Sequence, residues 1–92
     1  NQTPLVAVGR LPAVSPISRD SVNLLIFNMR ARPVDLEWVN FSGGLTHYST
    51  IAAGGSLSQQ TYAGHVWIVR DGGQDVGGFT ASSLAEQTVE LR

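Results

Sequence analysis

The chain has 92 residues, 42% of them hydrophobic and 14% charged, with a net charge of −1. That is the composition of one small globular domain with a modest core. With no cysteine, neither a disulfide nor a thiolate metal site can form. Charges of both signs are taken as spread evenly, and without a basic face nucleic-acid binding is not expected. No run nears the roughly 18 apolar residues that a membrane-spanning helix needs. The chain starts at Asn1 and its single methionine, Met29, is internal, which suggests a processed chain or a fragment.

In chain order, residues 1–17 hold three of the four prolines (Pro4, Pro12, Pro16) and read as an extended arm, with a short strand at Leu5–Val8. The run VNLLIFN, 22–28, is apolar throughout and of strand length, which predicts a strand buried on both sides. After Pro33, VDLEWVNF alternates, with Val34, Leu36 and Trp38 on one face and Asp35 and Glu37 on the other. SGG at 42–44 is a turn, THYSTI from Thr46 a strand, and AAGG at 52–55 another turn. SLSQQTY and HVWIVR, the latter rich in β-branched and aromatic residues, follow as strands. DGGQD turns the chain, and VGGFTAS and QTVELR close it. No apolar period of 3.6 residues persists. About seven to eight short strands at this spacing predict an all-β fold, an antiparallel β-sandwich.

The densest chemistry lies in TYAGHVWIVRD, residues 61–71. On one extended strand Thr61 and His65 would stand about 13 Å apart. Gly64 suggests a three-residue hairpin loop, Tyr62-Ala63-Gly64, ending in a left-handed glycine. Thr61 would then face His65 across the hairpin at roughly 4.5–5.5 Å between Cβ atoms, with Gln59 across from Trp67, and with Val66 and Ile68 turned into the core. A two-residue loop would put Thr61 and His65 on opposite faces. In the convergent version a hydroxyl, an imidazole, an indole and a carboxamide share one patch, suited to a mostly apolar ligand carrying one hydroxyl. The plainer alternative makes Trp67 a core residue and His65 a structural hydrogen-bonder.

Other chemistries fit less well. Asp71 is about 20 Å from His65 along a strand, so Thr61, His65 and Asp71 do not make a triad, and no nucleophile elbow is present. Two histidines and scattered carboxylates fall short of a metal site. GGQDVGG lacks the Lys-Ser/Thr of a phosphate loop. No cofactor is implied. Asn40-Phe41-Ser42 matches the N-glycosylation triplet, and Arg70-Asp71 reads as a local ion pair.

The run WVNFSGG, Tyr48 ten positions after Trp38, and TYAGHVWIVRD together resemble the β domain of the von Hippel–Lindau tumour suppressor family. That family carries W-x-N-F-x-G, a Tyr ten residues after the Trp, and [S/T]-Y-x-G-H-x-W-x-x-R-D. SRD at 18–20 and LIFN at 25–28 resemble its first-strand region. The resemblance covers 18–92, which sets a domain there behind an arm of 1–17.

It implies a non-catalytic module that binds 4-hydroxyproline in an extended peptide. Carried over, Trp38, Tyr48, Thr61, His65 and Trp67 form the pocket. Thr61, where the family usually has Ser, and His65 would bond the 4-hydroxyl; the three aromatic side chains would wall the ring, and Tyr48 would reach the peptide backbone. Gln60 stands where the family often has His, and Tyr62 follows in the same motif, so both join the ligand-binding set. The family's basic residues are Leu57 and Ser58 here. No helical elongin-binding domain is present in this chain, so no ubiquitin-ligase partner is carried over. The competing reading is an accessory β-sandwich of a larger, secreted protein, binding carbohydrate or packing on a catalytic neighbour.

Overall fold

A computed structural model describes residues 2–92. Seven strands, Ser21–Asn28 (β1), Val34–Val39 (β2), Leu45–Ile51 (β3), Ser56–Tyr62 (β4), Val66–Asp71 (β5), Gln74–Thr80 (β6) and Glu86–Leu91 (β7), form two sheets. One has the order β4-β1-β7, the other β3-β2-β5-β6. The all-β sandwich expected from the turn spacing is the fold found. Pairing is antiparallel except for β1 with β7, which run parallel.

The two sheets meet over Leu24, Ile26, Leu36, Trp67, Val69, Phe79, Val89 and Leu91, all buried. Alternation puts them there: on β1, Val22, Leu24, Ile26 and Asn28 point inward and the residues between point out. The expectation that β1 is buried on both sides is therefore corrected. Leu25 is 42% exposed, because only one face of a three-stranded outer sheet is covered by the other sheet. A continuous apolar run does not distinguish a doubly buried strand from a half-buried one that carries apolar residues on its open face.

The connection after β4 also departs from expectation. Residues 62–64 do not make a hairpin. Strands β4 and β5 belong to different sheets, and the cross-strand partner of Thr61 is Val22 on β1. Tyr62-Ala63-Gly64 is a corner that carries the chain from one sheet to the other. The left-handed glycine is real, with Gly64 at φ +86°, and a Cβ there would lie 3.0 Å from Pro16 Cγ. The Ala63 amide bonds the Asp20 carbonyl and the Gly64 amide that of Ala81, each at 2.8 Å. Spacing alone could not separate a hairpin from a corner, since both need a tight turn and a left-handed residue.

Val66 and Ile68 are buried, but not in the inter-sheet core, which takes Trp67 and Val69 instead. They face outward with Val39 and are covered by Val8 and Leu11 of the N-terminal segment. That segment is stitched on. Thr3 bonds Thr88 and Gln87, Val6 exchanges two bonds of 2.8 Å with Gly78, and Val8–Arg10 forms a 3-10 turn. The strand expected at Leu5–Val8 reduces to this single bridge at Val6.

Arg70 and Asp71 do not pair with each other. Arg70 meets Asp75 at 3.1 Å, while Asp71 takes Arg32 at 3.1 Å. Adjacent strand residues point to opposite faces, and this sends the two charges to different partners.

Candidate functional site

An open cavity of about 270 Å³ lies at the edge of the sandwich where β3 and β4, the outermost strands of the two sheets, flank it. The structure brings Trp38, Tyr48, Gln60, Thr61, Tyr62, His65 and Trp67 together around it, joined by Gln59 and Phe41.

The floor is Trp67, 1% exposed. Its indole Nε1–H donates to Thr61 Oγ1 at 3.2 Å, which satisfies a buried donor and fixes the threonine hydroxyl. A hydroxyl has one proton and two lone pairs. The proton of Thr61 has no acceptor among the described residues, so it remains free to donate into the cavity.

Trp38 and Tyr48 form one wall. Trp38 pairs with Trp67 across β2 and β5. Tyr48 is placed by an irregularity: the β2–β3 register shifts between Leu36 and Glu37, so that Leu36 faces Ser49, Glu37 faces His47, and Tyr48 is the extra residue. Such a bulge re-aims a side chain. Tyr48 stands edge-on to Trp67 with ring centroids 5.0 Å apart and is 48% exposed, so its phenol reaches the rim. His47 turns the other way, onto Glu37 at 2.7 Å.

His65 closes the far side, 5% exposed. Trp38 Nε1 donates to its Nδ1 at 3.2 Å. An indole N–H can only donate, so Nδ1 is the acceptor and the proton of the neutral ring sits on Nε2. Nε2 is buried and outside good hydrogen-bond geometry. Desolvation by burial holds the His65 pKa below its ordinary 6.5, and the backbone carbonyl of Pro16 pulls it back only in part. The ring is therefore neutral at physiological pH, with Nδ1 as its acceptor nitrogen.

The Trp38–His65 pair depends on a detail of the sheet. The β2–β5 ladder ends at Trp38 opposite Trp67. One step further, the buried hydroxyl of Ser15 stands between the strands, accepting the Val66 amide at 2.9 Å and donating to the Val39 carbonyl. Val39 and Val66 are the chain neighbours of Trp38 and His65, so this inserted hydroxyl sets the strand separation from which both side chains project.

A model of the VHL beta domain matches residues 13–83. The chain belongs to the VHL β-domain family. A VHL β domain is a substrate-recognition fold that mediates protein–protein contact, and it is a recognition module, not a catalytic one. No curated protein matches the chain significantly. The matched span includes Ser15 and every residue around the cavity.

Within this VHL β domain, Phe41 is the cavity residue that the sequence reading left out. It stands edge-on to Trp38 at 5.2 Å and to His65 at 5.7 Å. Its signal was present as the phenylalanine of the W-x-N-F-x-G run. Asn40 holds it in place: its Oδ1 accepts the amides of Ser42 and Gly44 at 3.0 and 2.9 Å and the Ser42 hydroxyl at 2.9 Å. The triplet that resembles a glycosylation site thus has its asparagine engaged in building a turn.

Proposed function

We propose that the domain binds a hydroxyproline-containing peptide, with the pyrrolidine ring in the aromatic cavity and its 4-hydroxyl between Thr61 and His65. The observation that carries this reading is the pair of polar groups, the Thr61 hydroxyl and the His65 imidazole, set in a largely aromatic cavity. Thr61 has a proton to give, and neutral His65 offers Nδ1 as acceptor, weakly engaged by Trp38 at 3.2 Å. A ligand hydroxyl both donates and accepts, so it satisfies both groups at once, taking the place of the Trp38 N–H on His65.

The edge-on contact of Tyr48 and Trp67 makes an angled aromatic corner, not a flat platform, which favours a single substituted ring over the flat stack of a saccharide chain. Strand β4 and strand β3 each have an unpaired edge beside the cavity mouth. An extended peptide can run between them, with Gln60 and the phenols of Tyr48 and Tyr62 within its reach.

Replacing hydroxyproline by proline would leave the Thr61 donor unsatisfied, at about 1–3 kcal/mol. Tenfold in affinity corresponds to about 1.4 kcal/mol, so the proline peptide is expected to bind about tenfold more weakly or worse. Calorimetry with the paired peptides tests this, together with chemical-shift perturbation at His65 and the Trp67 indole. Equal affinities would refute it.

A further inference from the structure

Charge is not spread evenly along the chain. From Trp38 to Val69 there is no Arg, Lys, Asp or Glu. That uninterrupted span supplies every residue around the cavity and both flanking strands, β3 and β4. Seven of the ionised side chains pair with one another outside that span: Arg30 and Arg32 with Asp71, Arg70 with Asp75, Arg92 with Glu90. Glu37 is taken by His47 on the face turned from the cavity. At the corner beside Tyr62, where the Asp20 carbonyl receives the Ala63 amide, the exposed Arg19 and Asp20 carry opposite charges that sum to zero. Around the mouth Phe41, Tyr48 and Tyr62 are all partly exposed, and Ile17, next to the Pro16 that packs on Gly64, is 87% exposed.

Resting on the hydroxyproline reading above, we infer that the peptide partner carries uncharged residues, apolar or neutral polar, on both sides of its hydroxyproline. A carboxylate or ammonium in either flank would give up hydration against Phe41, Tyr48 and Tyr62 with no counter-charge to meet it. No field at the mouth would steer it in. An apolar flank instead removes exposed aromatic surface from water.

The test is calorimetry on the intact chain with synthetic peptides that combine a central hydroxyproline or proline with Ala/Leu, Asp or Lys flanks. Each is measured at low and high salt, on the order of 50 and 500 mM, which bracket the range where screening changes most. The neutral-flanked hydroxyproline peptide is expected to bind at least about fivefold tighter than either charged one, and to change less than about twofold with salt. A charged-flank hydroxyproline peptide that binds as tightly or more tightly overturns the inference while leaving the hydroxyproline reading intact. Hydroxyproline and proline versions that bind alike in every flank context overturn both. A second arm uses Ser58→Arg, at an exposed position on β4. It is expected to raise affinity for the Asp-flanked peptide several-fold at low salt, with the gain erased at high salt. Indifference of that peptide to Ser58→Arg would show that the flanks do not pass along β4, and would also overturn the assignment.

Discussion

Ser15→Ala is the substitution that separates the architecture of the site from its chemistry. Ser15 is 2% exposed and touches no part of the cavity, yet its hydroxyl sits in the β2–β5 ladder between the Val66 amide and the Val39 carbonyl. Removing one oxygen leaves a buried N–H and a buried C=O unpaired. Each such group costs about 1–3 kcal/mol, so the pair is worth about 2–6 kcal/mol if the strands hold their separation. For a domain of this size about 1 kcal/mol moves the melting temperature by roughly 4–8 °C, so a drop of about 10 °C or more is expected. The strands have one escape: to close the gap and bond Val66 N–H directly to Val39 C=O. That would recover stability, but it would carry Trp38 and His65 with it and disturb their 3.2 Å contact.

The two outcomes are told apart by measuring stability and spectroscopy on the same protein. Denaturant unfolding gives the free-energy loss, and hydrogen exchange reports the Val66 amide. The Trp38 indole and His65 ring nitrogen shifts report the contact and the tautomer. Either the domain is destabilised and the Val66 amide loses protection, or stability survives and the His65 and Trp38 signals move. A Ser15→Ala variant unchanged in stability, in Val66 protection and in both side-chain signals would refute the account of the inserted hydroxyl. Ser15→Thr keeps the hydroxyl and should restore the side-chain signals.

Thr61→Val removes the acceptor of the buried Trp67 N–H and is expected to cost about 1–3 kcal/mol in denaturation, while the preference for hydroxyproline over proline collapses in calorimetry; Thr61→Ser should keep that preference. Burial depresses the His65 pKa below 6.5, so as pH falls the unfolded chain takes up the proton first. The stability that neutral His65 contributes is thus complete above pH 6.5, declines below it and levels off once the depressed pKa is passed. Peptide affinity should follow the same course, and an NMR titration midpoint for His65 at or above 6.5 would contradict the burial argument. Gly78→Ala would set a Cβ 2.4 Å from Leu11 Cδ1 and 2.5 Å from the Trp67 carbonyl. Overpacking of this kind costs about 1–3 kcal/mol, and hydrogen exchange at Val6 should show the N-terminal segment loosened; an unchanged Val6 amide would count against the stitched arrangement.

The strands were legible because their signals are local. Alternation marked β2, the glycine pairs marked the turns before β4 and β6, and β-branched and aromatic residues marked β5. What was not legible is which sheet each strand joins, since that depends on contacts between residues far apart in sequence. VNLLIFN shows the limit: its apolar outward residues read as evidence of a second covering layer, whereas Leu25 is in fact open to solvent. The N-terminal segment shows the opposite error. A Pro-rich stretch reads as loose, but Ser15 and Leu11 are held by the ends and outer faces of strands that come later in the chain.

The side chains grouped from the sequence do meet around one cavity, although the route to them was wrong. A hairpin would have set Thr61 against His65 as cross-strand neighbours. The corner sets Thr61 near the end of β4 in one sheet and His65 just before β5 of the other. This difference has a chemical consequence. Cross-strand neighbours at hairpin distance tend to satisfy each other. Here Thr61 is instead bonded by Trp67, and His65 by Trp38, which leaves the Thr61 proton without an acceptor among the described residues. The motif W-x-N-F…Y…T-Y-x-G-H-x-W therefore encodes more than a set of pocket residues. Its glycine places the change of sheet, and its two tryptophans bond the hydroxyl and the imidazole separately, one to each.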